Sequence, residues 1–192
     1  MKKNLFMLVT MLLLSSAIFA QSWDFGLKGG LNLSTIVGDE TSDVDSRTAF
    51  YLGGFAEVKL SDKFAFQPEL LYSSQGAKGK DEGVDMTLEL DYLTIPLMAK
   101  YYVAEKFSLD FGPQLGFLLN ADAEVMGVSV DFKDYVKSFD FGLNLGLSYE
   151  FNKFVINGRY NIGLSNIWDD EFDDGDLKNQ NSVIQFGLGY KF

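Results

Sequence analysis

Eight times along this chain, large apolar residues alternate with small or polar ones over roughly 10 residues. In the first stretch Trp23, Phe25, Leu27, Leu31 and Leu33 are opposed by Asp24, Gly26, Lys28, Asn32 and Ser34. The pattern resumes at Phe50, Phe64, Leu93, Phe107, Phe139, Phe154 and Ile184, and its last stretch runs to Phe192. Successive side chains of a strand point to opposite faces, so period two implies eight strands with one apolar and one polar face each. A tilted strand of about 10 residues is long enough to cross a bilayer.

The connections alternate in length. Ser61-Asp62-Lys63, Ala104-Glu105-Lys106 and Phe151-Asn152-Lys153 are tight turns, each followed by Phe. Between them lie long polar segments at 35–48, 76–87, 120–137 and 165–181. This rhythm predicts an all-β, eight-stranded antiparallel up-and-down transmembrane β-barrel, with short periplasmic turns and long extracellular loops.

A lipocalin-type barrel shows the same alternation with its apolar face inward, and side-chain volume decides between the two. An eight-stranded lumen is only just wide enough for side chains. The apolar face carries Phe, Leu or Tyr at nearly every position, whereas the polar face carries Gly26, Gly53, Gly112, Gly116, Gly142, Gly146, Gly187 and Gly189 among short polar residues. The small face therefore points inward and the bulky face meets lipid. Aromatics at strand ends predict two interfacial girdles made from Trp23, Phe64, Tyr72, Tyr92, Phe107, Phe139, Tyr149, Phe154, Tyr190 and Phe192. Pro68, Pro96 and Pro113 fall inside proposed strands, where each removes a ladder donor, so bulges or register changes are expected there.

Residues 1–20 have the layout of a secretory signal peptide. Lys2 and Lys3 precede an apolar run from Leu5 to Leu14, and small residues allow cleavage after Ala17 or Ala20; Ala20 is preferred because the strand pattern already begins at Trp23. The barrel domain is then 21–192. No later apolar run approaches the ~20 residues of a transmembrane helix.

The polar face also carries charge. Counted from the short-turn rim, Lys28, Glu57, Glu69, Lys100, Asp110 and Arg159 fall at similar heights on inward positions. Buried charge is costly unless paired, so three acids and three bases predict a salt-bridge layer filling the lower lumen. The alternative is a narrow channel for ions or small solutes.

The chain has no His and no Cys, which removes imidazole bases, thiol nucleophiles and the usual soft metal ligands. A carboxylate pair would have to act alone. Asp140 and Glu150, on one strand, stand about 33 Å apart at about 3.3 Å per residue. No enzyme and no cofactor is expected.

A formal charge of −11 argues against a nucleic-acid partner, and the four long segments carry 17 acids against 6 bases. Their densest run, 169–176, fails the EF-hand pattern because Phe172 and Asn181 would occupy ligand positions three and twelve. Asp170, Asp173, Asp174 and Asp176 are left as a loose candidate for divalent cations, against the reading of a solvated acidic loop.

Gln67-Pro68-Glu69-Leu70-Leu71-Tyr72 followed by Gly76, Tyr92-Leu93-Thr94-Ile95-Pro96-Leu97, Gly112-Pro113 and the terminal Phe192 resemble the small outer-membrane beta-barrel domain family common in Bacteroidota, whose members are usually labelled "porin family protein". The resemblance implies residence in the bacterial outer membrane among its lipids. It also implies insertion by the barrel-assembly machinery through the strand ending at Phe192. It implies no reaction. The expected role is a non-enzymatic integral barrel with a plugged lumen, structural or contacting envelope partners through its acidic outward loops.

Overall fold

The computed structural model describes residues 22–39, 41, 44–81, 84–169 and 178–192. The proposed leader at 1–20 and the acids Asp170, Asp173, Asp174 and Asp176 lie outside the described residues. Nine strands occur among those residues: β1 (Trp23–Gly38), β2 (Val44–Lys59), β3 (Phe64–Asp81), β4 (Val84–Ala104), β5 (Phe107–Val125), β6 (Val128–Asp131), β7 (Phe139–Phe151), β8 (Phe154–Gly163) and β9 (Asn179–Lys191). Eight of them form a closed antiparallel barrel. β1 pairs with both β2 and β9, and β4 pairs with β5, so no long strand is left with a free edge. β6 is a short strand that pairs only with the outer end of β5.

The wall is turned inside out relative to a lipocalin. Phe25, Leu52, Leu145 and Phe186 each stand more than half exposed on the outer face, while Asn32, Glu57, Lys100 and Asn144 are almost wholly buried in the lumen. Phe107 and Phe117 are ten residues apart on β5 and mark the two ends of the outward apolar band. That is about 33 Å along the strand, or about 23 Å of height at a tilt near 45°, which matches the hydrophobic belt of such barrels.

Beyond that belt the strands continue where the sequence pattern suggests loops. Most of 76–87 is a regular β3–β4 ladder reaching Asp81 opposite Val84, and β4 begins at Val84 rather than near Leu93. β1 likewise runs to Gly38 and β5 to Val125. Outside lipid both faces of a strand can be polar, so alternation fades while backbone pairing persists. Gly76, at φ +118°, lies within this extension; a Cβ there would run into the Leu88 carbonyl. Met126 and Gly127, both at positive φ, make the turn from β5 to β6.

The three prolines do not shift register. Pairing is skipped at Ala56–Glu57 against Gln67–Pro68, at Glu69–Leu70 against Ile95–Pro96, and at Leu97–Met98 against Gly112–Pro113, and each ladder resumes unshifted. The missing donors of β3, β4 and β5 thus each face the preceding strand. The expectation of bulges or register changes at these residues is corrected accordingly. The register shifts of the β2–β3 and β4–β5 ladders lie elsewhere, between Ser46 and Tyr51, Asp91 and Tyr92, and Tyr102 and Ala104.

Candidate functional site in the barrel lumen

Parity along each strand delivers charged side chains into a space too narrow for water to solvate them fully, and they meet in two tiers. Nearest the tight turns, Lys100 Nζ lies 2.7 Å from Glu57 Oε2 and 2.9 Å from Glu150 Oε1. Lys191 Nζ is 2.9 Å from Glu57 Oε1 and 2.9 Å from Glu150 Oε2. Two bases and two acids alternate around a square. The Tyr102 hydroxyl donates into it, 2.6 Å from Glu150 Oε1 and 3.1 Å from Glu57 Oε1.

The tier above is built on Glu69. Arg159 approaches its carboxylate with both terminal nitrogens, at 3.0 and 2.7 Å, and Lys28 Nζ lies 3.2 Å from each oxygen. Gln67 ties the tiers together, donating to Glu69 Oε1 at 2.7 Å and accepting from Lys100 at 3.3 Å.

Asp110 does not join an ion pair within 4 Å among the described residues; Ser108 donates to it at 2.6 Å and Ser148 donates to its other oxygen. A single layer of three acids and three bases is therefore replaced by two tiers and a serine-held aspartate. The sequence reading omitted Glu150 and Lys191 because they sit at the last inward positions of β7 and β9, beside the rim. The signal was present in the alternation, which places both residues inward.

Aromatic rings share the lumen with these charges. Tyr51, Phe55, Tyr92 and Tyr102 all face inward and are buried. Glycines make the room: a Cβ on Gly26 would strike the Phe55 ring, and one on Gly187 would strike the Tyr51 hydroxyl. Tyr92, expected in a girdle, is 1% exposed and points inward. Its even number puts it on the face of Thr94, Pro96 and Met98, and β4 extends past it, so it is not a strand end.

The remaining girdle residues lie on the outer face. Phe64, Tyr149, Phe154, Tyr190 and Phe192 are exposed around the tight-turn rim, where Trp23 and Phe107 are half-buried. Rings pair there, Phe64 with Tyr101 at 5.0 Å and Phe154 with Tyr190 at 5.3 Å. Tyr72 belongs to the other end of the belt, 5.6 Å from Phe50, as does the Phe117–Phe139 pair at 5.7 Å.

Above the tiers the lumen is lined by amides. Asn32 donates to the Ser74 carbonyl at 2.7 Å, Gln185 donates to Asn32 at 2.9 Å, and Asn161 donates to Asn144 at 3.1 Å. Over the mouth the chain then builds a small apolar core. Leu90, Tyr92, Leu118, Ala121 and Val136 pack together, and Ile36, Ala77 and Ile167 form a second cluster beside them. Trp168 touches both. Backbone pairing of Val136 with Trp168 joins the β5–β7 and β8–β9 connections, reinforced by Lys137 N to Ile167 O at 2.8 Å. Among the described residues no three carboxylates gather as a metal centre.

Residues 19–169 match the family model described as "Outer membrane protein beta-barrel domain". Among solved structures the chain is similar to Ail, the attachment invasion locus protein of Yersinia pestis, with a TM-score of 0.55 and 16% identity over 88% of this chain and 98% of that one. Neisserial surface protein A gives a TM-score of 0.55 and 15% identity over 90% and 100% of the two chains. Ail in complex with the heparin analogue sucrose octasulfate gives 0.52 and 14% over 89% and 99%. At such identities the likeness is one of fold. No curated protein sequence matches this chain.

Proposed function

From the premise that this chain belongs to the outer membrane protein beta-barrel domain family and is an integral outer-membrane protein, we propose that its lumen is plugged and that it works as a non-enzymatic structural or surface-contact barrel. One observation carries this reading. Four bases and four acids, Lys28, Lys100, Arg159 and Lys191 with Glu57, Glu69, Asp110 and Glu150, share the lower lumen with Tyr102 and Phe55; the bases pair with the three glutamates, and Ser108 and Ser148 hold Asp110. A conducting pore keeps its charges hydrated; these are satisfied by protein. Inward aromatics and the apolar core at the mouth support the same conclusion.

The absence of His and Cys supports a non-enzymatic role, and the carboxylates of the lower lumen are engaged by bases or hydroxyls. The outward end is where partners are met. Its acid excess disfavours sulfated sugars such as the heparin analogue sucrose octasulfate found in complex with Ail, and favours divalent cations or cationic envelope components. Removal of a leader after Ala20 would leave a net charge of −13, through loss of Lys2 and Lys3. The outward aromatic rings at both ends of the belt would set the barrel's depth among lipids. The strand ending at Phe192 would be the handle for the barrel-assembly machinery.

Planar-bilayer conductance and liposome swelling test the plug, with heat-dependent gel migration in detergent as the check of a folded barrel. The expected result is a clear band shift without steady channels or solute uptake, and Arg159→Ala should change conductance little because aromatic side chains still occupy the lumen. Large, steady channels from the unmodified protein would overturn the plug and leave the fold intact.

A further inference from the structure

Buried charge in the described lumen balances at every residue but one. The lower tiers hold four acids against four bases, and near the mouth Arg47 Nη2 lies 2.7 Å from Glu89. Asp140, 5% exposed, is left over. Among the described residues no Lys or Arg nitrogen comes within 4 Å of its carboxylate, and Gly146, the β7 partner of Arg159, is six residues from Asp140 along that strand, about 20 Å at about 3.3 Å per residue. Among the described residues the one side-chain hydrogen bond to Asp140 comes from Asn181 Nδ2 at 3.5 Å, the long limit for such a bond.

Two unpartnered amide oxygens belong to inward residues of the next two strands, β8 and β9. Asn161 Oδ1 and Asn181 Oδ1 are buried and accept nothing from the described residues, and each residue is 1% exposed. Asn161 Oδ1 stands 3.1 Å from the position a Cβ would take on Gly142, the next inward residue of β7 after Asp140. On the other side, an ideal Cβ on Gly116 would lie 3.2 Å from Asp140 Cβ and 3.5 Å from the Tyr92 ring. The Tyr92 hydroxyl is 3.4 Å from Asn181 Nδ2. A buried unpaired carboxylate and orphaned amide oxygens are each unfavourable. A water molecule would serve the amides but leave the charge.

We propose that Asp140, with the oxygens of Asn161, Asn181 and Tyr92, forms a site for a single alkali-metal cation in the upper lumen. All four donors are hard oxygens, which select alkali and alkaline-earth ions over softer metals. One carboxylate matches one positive charge; calcium sites gather 6–8 oxygens and usually several carboxylates. Half a turn of the Asn181 amide brings its Oδ1 to the position now held by Nδ2. Tyr92 belongs to the site and to the apolar core over the mouth, so the cation lies beneath the joined connections. The site stands whether or not the lower tiers conduct.

Equilibrium dialysis of the purified full-length barrel against radiolabelled rubidium, in N-methylglucamine chloride, tests the site. The acidic outward connections contribute equally in all variants, so the difference from Asp140→Asn reports the site alone. The expected result is one additional ion per barrel, displaced by excess potassium, with at least a tenfold weaker uptake in Asp140→Asn while heat-dependent migration is kept. Potassium chloride should also raise the unfolding temperature of the unmodified barrel above that in N-methylglucamine chloride of equal ionic strength, and leave Asp140→Asn unmoved. Should Asp140→Asn fail to fold, Asn161→Leu replaces it, with weakened rubidium uptake expected. Equal retention in barrel and folded variant, or an infrared band of a protonated carboxyl at neutral pH that Asp140→Asn removes, would overturn the proposal.

Discussion

Arg159 on β8 grips Glu69 on β3 from across the barrel through two parallel hydrogen bonds, Nη1 to Oε2 at 3.0 Å and Nη2 to Oε1 at 2.7 Å. Lys28 shares the same carboxylate, so this tier holds two cations on one anion, with Asp110 as the neighbouring counter-charge.

That inequality predicts an order of stabilities. Glu69→Gln leaves Arg159 and Lys28 buried side by side and should destabilise by about 3–5 kcal/mol. Arg159→Gln keeps the Lys28–Glu69 pair, leaves Asp110 to Ser108 and Ser148, and should lose about 1.5–3 kcal/mol, the contribution of hydrogen bonds to a charged group. Urea unfolding in detergent, followed by heat-dependent migration or tryptophan emission, measures both; the reverse order would contradict the charge inventory.

Leu145 lies midway along the outward face of β7, and Phe151 lies at its tight-turn end, both more than half exposed. Leu145→Arg should cost about 2–4 kcal/mol in a bilayer and Phe151→Arg about 0–1, because the penalty follows depth. Refolding titrations into liposomes give both values, and equal penalties would mean that the belt is misplaced.

Gly187 and Tyr51 occupy one space between them. Gly187→Ala should destabilise by about 1–3 kcal/mol through overpacking, and by clearly less in a Tyr51→Ala background. A double-mutant cycle by urea unfolding reads the coupling directly. Additive effects would show that the ring moves aside at no cost.

Trp168 links the two apolar clusters over the mouth. Trp168→Ala should speed proteolysis of the β5–β7 and β8–β9 connections roughly tenfold, equivalent to about 1.4 kcal/mol of local opening, with the barrel's heat-dependent shift unchanged. Limited digestion followed by mass spectrometry locates the cuts.

The lipid belt was legible because lipid and a narrow lumen impose opposite demands on alternate residues; Phe25 and Lys28 announce their faces by chemistry alone. Past the belt the demand ends, and the β3–β4 hairpin from Gly76 to Thr87 carries no periodic trace of its pairing. The mouth core was hidden for a related reason: Val136, beside Tyr135 and Lys137, and the adjacent pair Ile167–Trp168 stand in polar segments without period, and only tertiary folding brings them together. In the lumen, parity identified which side chains point inward. Partner choice depended on strand stagger, which is why Asp110 was expected among bases and is held by serines, and why Glu150 and Lys191 went unpaired on paper.

The last strand finishes two tasks at once. β9 supplies the ladder that joins β8 to β1, and Phe192 N reaches the Phe25 carbonyl at 2.9 Å. The same strand delivers Lys191 between Glu57 and Glu150, which until then share Lys100 alone. A chain halted before β9 is therefore open along one edge and carries excess negative charge inside. Completion becomes an all-or-none event, in which the backbone ring and the electrostatic ring close with the same residues.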